Sequence, residues 1–168
     1  MNENSLNIYQ KFGIIDTLIF DVDGVFTDSQ MLVTEHFEML RSMHTQDGYA
    51  VKKAIEAGLN IAIITKGKSE GIKDRFLKLG VKHVYLNMPS KMDSYSDLLT
   101  KIECKNALYM GDDLSDIMVM KQCTIAACPN DAVADVLHIS DFISPYEGGR
   151  GCVRDVIERV LRAQGKWN

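Results

Sequence analysis

The chain has 168 residues, 46% of them hydrophobic and 25% charged, with a net charge of −4. That length predicts one domain with one sizeable core, and the acidic balance argues against a nucleic-acid surface. No apolar run approaches the ~20 residues of a membrane span, the polar start lacks a signal core, and the four cysteines show no metal or redox spacing, so a cytoplasmic protein with reduced thiols is expected.

Residues 1–13 read as a frayed leader. Thr17 to Phe20 is β-branched and apolar, a buried strand ending on Asp21, with Asp23 two residues on and Gly24 turning the chain. Ser29 to His44 reads as a hairpin of two short strands about Thr34-Glu35-His36. Met31, Val33, Phe37, Met39, Leu40 and Met43 give it apolar residues on both faces. It either packs on another subunit or folds back on its own domain. Asp47-Gly48-Tyr49 opens a helix that Gly58 stops. Leu59 to Thr65 is a second buried strand, Lys66 to Ser69 a loop with Ser69 as N-cap, and a helix runs to Leu79. Val81 to Leu86 is a strand, Lys91 to about Ile102 a helix, and Ala107 to Met110 a strand leading into Gly111-Asp112-Asp113. A helix continues to about Gln122. Thr124 to Cys128 is a short strand, Pro129-Asn130-Asp131 starts a helix, and Phe142 to Ser144 is the last strand. Gly148 to Gly151 reads as a flexible joint before a terminal amphipathic helix, Cys152 to Ala163.

Strands alternating with helices predict an α/β fold: a single three-layer, Rossmann-like domain with a parallel central sheet and right-handed crossovers. The polar residues that end the strands then collect along one edge, where open α/β sheets bind ligands. Carboxylates gathered there are costly unless paired or bound to a cation. The strand and loop ends supply Asp21 and Asp23, Thr65, Lys91, and Asp112 with Asp113. Each taken singly has a bland reading: Lys91 a solvated helix-start lysine, Thr65 a core hydroxyl, Asp-x-Asp a polar turn. Asp131 reads as a helix start, and the four histidines fit no ligand spacing.

Together, and in order, these residues resemble the four motifs of the haloacid dehalogenase superfamily of phosphatases. They match Asp-x-Asp-Gly, a strand-final Thr, a Lys heading a helix, and Gly-Asp-Asp-x-x-Asp. The resemblance implies a Mg²⁺-dependent phosphomonoester hydrolase. Asp21, the backbone carbonyl of Asp23, and Asp112 would supply hard oxygen ligands, with Asp113 acting through a bound water. Asp21 would attack phosphorus to form an aspartyl-phosphate. Asp23 would serve as acid and then base. Thr65 and Lys91 would hold the phosphoryl oxygens. Asp116 would either position Lys91 or cap the helix that follows.

Most relatives insert a cap domain, but the spacing from Gly24 to Thr65 to Lys91 leaves room for none. The capless members with this hairpin, the 3-deoxy-D-manno-octulosonate 8-phosphate phosphatase family, resemble the chain further at Asp21 to Asp28, Asp47-Gly48, Arg75 to Gly80, and Gly148 to Arg154. This implies an eight-carbon keto-sugar acid phosphate as substrate, on the route to lipopolysaccharide, and a homotetramer assembled through the hairpin flap. Many members carry Gly-Arg after the strand-final Thr, whereas this loop reads Lys66-Gly67-Lys68-Ser69. Lysine lacks the bidentate fork of arginine, so Lys66, Lys68 and Arg75 are the candidate specificity groups. A nine-carbon sugar-acid phosphate is the nearest alternative substrate. A non-catalytic oligomerisation module would be expected to have lost the carboxylates. A phosphoacceptor receiver domain would carry its acidic pair near the N-terminus and its acceptor aspartate on a middle strand, whereas here the Asp-x-Asp is early and the Asp-Asp pair late.

Overall fold

In the computed structural model, which describes residues 6–167, six parallel strands form the central sheet. They are β1 (Thr17–Phe20), β4 (Asn60–Ile64), β5 (His83–Tyr85), β6 (Ala107–Met110), β7 (Ile125–Cys128) and β8 (Phe142–Ile143), and their order across the sheet is β5-β4-β1-β6-β7-β8. The remaining two strands, β2 (Leu32–Val33) and β3 (Met39–Leu40), pair only with each other. The four strands with long apolar runs are buried on both faces, as a covered parallel sheet requires. Side-chain alternation divides them between two cores. Leu18, Phe20, Ile61, Ile63, Leu108 and Met110 face one core, and Ile19, Ala62, Ile64 and Tyr109 face the other.

Helices α1 (Ile8–Ile14), α2 (Thr45–Glu56), α3 (Glu70–Leu79) and α7 (Cys152–Ala163) cover the first core. Helices α4 (Lys91–Lys101), α5 (Ile117–Met120) and α6 (Ala134–Ile139) cover the second. Ser69 and Ser90 cap α3 and α4 by accepting from Ile72 N and Asp93 N. The chain leaves β1 toward β4 and β5, then crosses back to place β6 on the other side of β1. The crevice at the C-terminal end of β1 is therefore the topological switch point.

Three local features differ from expectation. The frayed leader is in part a helix. Asn7 and Gln10 form a reciprocal capping box, and Phe12 anchors α1 in the core; residues 1–5 lie outside the described residues. Asp131 does not start a helix. Its carboxylate accepts from Gly148 N at 2.9 Å, and α6 begins at Ala134. The Gly148–Gly151 segment is a packed clasp rather than a joint. Gly149 N donates to Val25 O at 2.9 Å, and a Cβ on Gly148 would lie 2.1 Å from Gly24 O. Glycine is needed there for close approach of two backbones.

The hairpin does not fold back on its own domain. Leu32, Val33, Met39 and Leu40 are exposed, and Phe37 at its tip is 92% exposed. Only Met43, at the base, packs against the core. The four cysteines are free thiols. Among the described residues, no helix is long and apolar enough to cross a membrane.

Candidate active site

The backbone beyond β1 sets the site. Asp21 N donates to Met110 O at 3.0 Å, which extends the β1–β6 ladder by one residue and fixes the first aspartate at the switch point. The N–H groups of Val25, Phe26 and Thr27 then converge on Val22 O at 3.2, 2.9 and 3.1 Å, curling residues 22–27 into a tight loop. Asp21 is left only 6% exposed, with Oδ1 accepting from Val22 N at 2.7 Å.

Lys91, the first residue of α4, reaches under the sheet edge and donates to Asp21 Oδ2 and Asp116 Oδ1, both at 2.6 Å. Asp116 is fully buried, and its oxygens are taken. Oδ1 also accepts from Tyr109 Oη at 2.6 Å, while Oδ2 accepts from Asp112 N and Asp113 N at 3.3 and 3.2 Å. Of the two alternatives for Asp116, the first is realised: it holds Lys91, and its other oxygen ties down the backbone of the turn at Leu114–Asp116, while α5 receives no side-chain cap from it. Thr65 is the first residue beyond β4, with its hydroxyl oxygen accepting from Gly67 N at 3.2 Å. That leaves its O–H free to donate into the crevice.

One carboxylate oxygen each from Asp21, Asp112 and Asp116 lie within 4.8 Å of one another. Burial, and after it the charge of Asp116, pushes the Asp21 carboxyl up to about 6 against the pull of Lys91. Burial and the charges of Asp21 and Asp116 push Asp112 up to about 7. Burial alone would lower Lys91, but its two aspartate partners outweigh that and hold the ammonium protonated. Fully ionised, the three carboxylates would exceed the one ammonium by two negative charges. Asp112 Oδ1 is moreover buried without a hydrogen-bond partner, a state that calls for a ligand. A hard divalent cation meets both needs. Because Asp116 is saturated, Asp21 and Asp112 are the side chains that fit as direct ligands, with Asp116 positioning them.

Gly24 completes the cradle. A Cβ there would sit 1.9 Å from Asp112 Oδ2, and its φ of 84° already disfavours a side chain. Gly24→Ala is expected to weaken divalent-cation affinity by about 10- to 100-fold and to lower stability by about 1–3 kcal/mol. Calorimetric titration with Mg²⁺ and urea unfolding would check both.

The other predicted residues lie further out. Asp113 is exposed, and its carboxylate turns away to accept from Leu114 N at 2.7 Å. Asp23 faces the opening. Lys66, Lys68 and Arg75 are exposed, and Arg75 lines a cavity beneath the hairpin rather than the aspartate cluster. Sequence reasoning missed two residues. Tyr109 alternates into the second core and supplies the hydroxyl that holds Asp116. Arg41, at the base of the hairpin, donates from Nε to Asp23 Oδ1 at 2.6 Å and from Nη2 to Oδ2 at 3.1 Å. The available signal was a lone arginine in an apolar strand returning toward the first motif.

No family model matches the chain. It is 35% identical over 164 residues to the 3-deoxy-D-manno-octulosonate 8-phosphate phosphatase KdsC of Escherichia coli K12, covering 96% of this chain and 87% of that one. The crystal structure of the phosphatase of that name from Yersinia pestis superposes with a TM-score of 0.92 at 34% identity, over 95% of this chain and 87% of that one. The Moraxella catarrhalis phosphatase, in complex with a magnesium ion, a phosphate ion and a KDO molecule, gives a TM-score of 0.90 at 29% identity, over 94% and 92% of the two chains.

Proposed function

We infer the activity from membership: the chain belongs to the 3-deoxy-D-manno-octulosonate 8-phosphate phosphatase family of the haloacid dehalogenase superfamily. It is a phosphomonoester hydrolase that cleaves 3-deoxy-D-manno-octulosonate 8-phosphate to the free sugar acid and phosphate. The observation that carries this reading is the buried Lys91 ammonium shared by Asp21 and Asp116, beside the unpartnered oxygen of Asp112.

Asp21, Asp112 and the Asp23 carbonyl would hold Mg²⁺, which would supply the charge neutralisation that lets an anionic phosphate approach an anionic nucleophile. Asp21 then attacks phosphorus, forming its Oδ–P bond as the P–O bond to the sugar breaks. Asp23 gives the departing oxygen its proton, and later takes one from the water that hydrolyses the aspartyl-phosphate. Lys91 stays on Asp21, orienting it and meeting charge on the transferring oxygens, while the free O–H of Thr65 donates to one of them. Asp113, on the outer rim, acts through water. Lys66, Lys68 and Arg75 face the sugar.

The assembly we propose is a homotetramer joined through the hairpin. Its exposed apolar faces, Phe37 above all, support that reading. Four free thiols fit a cytoplasmic setting. Sedimentation is expected to give the mass of four chains and a smaller one for Phe37→Asp; a parent that sediments as a monomer removes the hairpin from assembly.

Side-by-side turnover of the eight-carbon and nine-carbon sugar-acid phosphates tests the substrate. The expected result is a higher kcat/KM for the eight-carbon ester. Chelation is expected to abolish that turnover, and added Mg²⁺ to restore it.

A further inference from the structure

The Arg41–Asp23 pair is the one contact in the crevice that the reaction does not explain. Its two hydrogen bonds form a parallel fork onto a carboxylate, a geometry specific to guanidinium. The arginine side chain is 10% exposed and the aspartate 39% exposed, so the fork is set back under the hairpin while Asp23 faces the solvent side. As it stands, the pair ties both Asp23 oxygens to the flap and away from a leaving group.

The surroundings show where the fork points next. Gly67 lies between the two halves of the site. A Cβ on it would be 3.5 Å from Thr65 Oγ1, 3.6 Å from Asp23 Oδ2 and 3.9 Å from Arg41 Nη2. The Arg41 guanidinium thus stands beside the 66–69 loop, which carries lysines and no arginine of its own. Arg41 also lines a cavity of about 320 Å³ beneath the hairpin, with apolar walls from Met39, Met43 and Ile72. Arg41 and Arg75 are the only charged residues among those lining it, and both are cationic. A cavity with two guanidinium groups and no carboxylate of its own selects an anion.

We propose that Arg41 is the specificity residue for the acidic end of the substrate. Its guanidinium exchanges Asp23 for the substrate carboxylate, and Asp23 is released to the leaving oxygen only when that exchange occurs. Asp23 in the fork is the stand-in that shows a carboxylate fits. The proposal rests on the sugar-acid reading above, and it makes recognition of the remote carboxylate a condition for assembling the catalytic groups.

The test is the ratio of kcat/KM for 3-deoxy-D-manno-octulosonate 8-phosphate to that for ribose 5-phosphate, which has no carboxylate. It is measured in the parent, Arg41→Met and Arg41→Lys, with Mg²⁺ present. In Arg41→Met the ratio is expected to fall about 10- to 100-fold, the worth of a charge-assisted pair, chiefly through a higher KM for the sugar acid. Arg41→Lys is expected to recover little of it. An unchanged ratio in Arg41→Met overturns the proposal whatever the absolute rates, as does full recovery by lysine. If Arg41→Met does not fold, the lysine variant decides alone: a parental ratio overturns, a collapsed one supports. A parent that does not turn over the sugar acid rejects the proposed substrate instead, so the two failures are distinct.

Discussion

Asp21→Asn is expected to lower phosphate release by about 10⁴-fold or more while leaving the fold standing. The amide keeps an oxygen to accept from Val22 N, and Lys91 keeps Asp116. What is lost is the nucleophile, since a neutral amide oxygen does not form the phosphoryl ester. Folding itself works against the charge on this side chain. Its carboxyl is pushed up from 3.8 to about 6, so the ionised form is penalised above about pH 6 and the penalty fades as pH falls toward 4. The variant is therefore expected to melt within a few degrees of the parent at neutral pH in chelator, and to gain less than the parent does from added Mg²⁺. Phosphate-release rates and thermal midpoints with and without the cation read both effects. A loss of less than tenfold would show that another residue attacks phosphorus.

Lys91→Met is expected to be the most destabilising single change at the site, by about 3–5 kcal/mol. The methionine fills a similar volume but leaves two buried carboxylates facing each other, together with the Tyr109 hydroxyl, which has only Asp116 as its partner here. Breaking one side of a buried pair is worse than never having built it, because the remaining charge stays out of water. Mg²⁺ is expected to restore part of the loss by compensating the buried carboxylates that the lysine no longer serves. Urea unfolding at pH 8 with and without the cation measures this. A loss below about 1 kcal/mol would mean that the lysine does not organise the cluster.

What the bare sequence conveyed follows from how far each signal reaches along the chain. Asp21, Thr65 and Asp112 end strands whose apolar runs announce themselves, so their common edge follows from alternation and parallel topology alone. Asp116 could be placed on one side of its turn by spacing, but its double role depends on Lys91 arriving from an element 25 residues earlier. Arg41 stood out only as a lone arginine in an apolar strand, and its pairing was hidden for a similar reason. Its partner is 18 residues away across a hairpin whose tilt no local pattern specifies. Helix α1 was hidden because a seven-residue helix with one buried side chain has almost no periodicity, although its capping pair was in plain view. At Gly148 and Gly149, composition pointed to freedom, whereas the lack of a side chain serves contact.

That clasp has a consequence for the newborn protein. The loop that follows Asp21 is synthesised well ahead of its clasp, for the N–H that steadies Val25 O belongs to Gly149, more than a hundred positions downstream. Translation must add more than a hundred further residues before that loop acquires its last support, so a product truncated or stalled ahead of Gly149 lacks it.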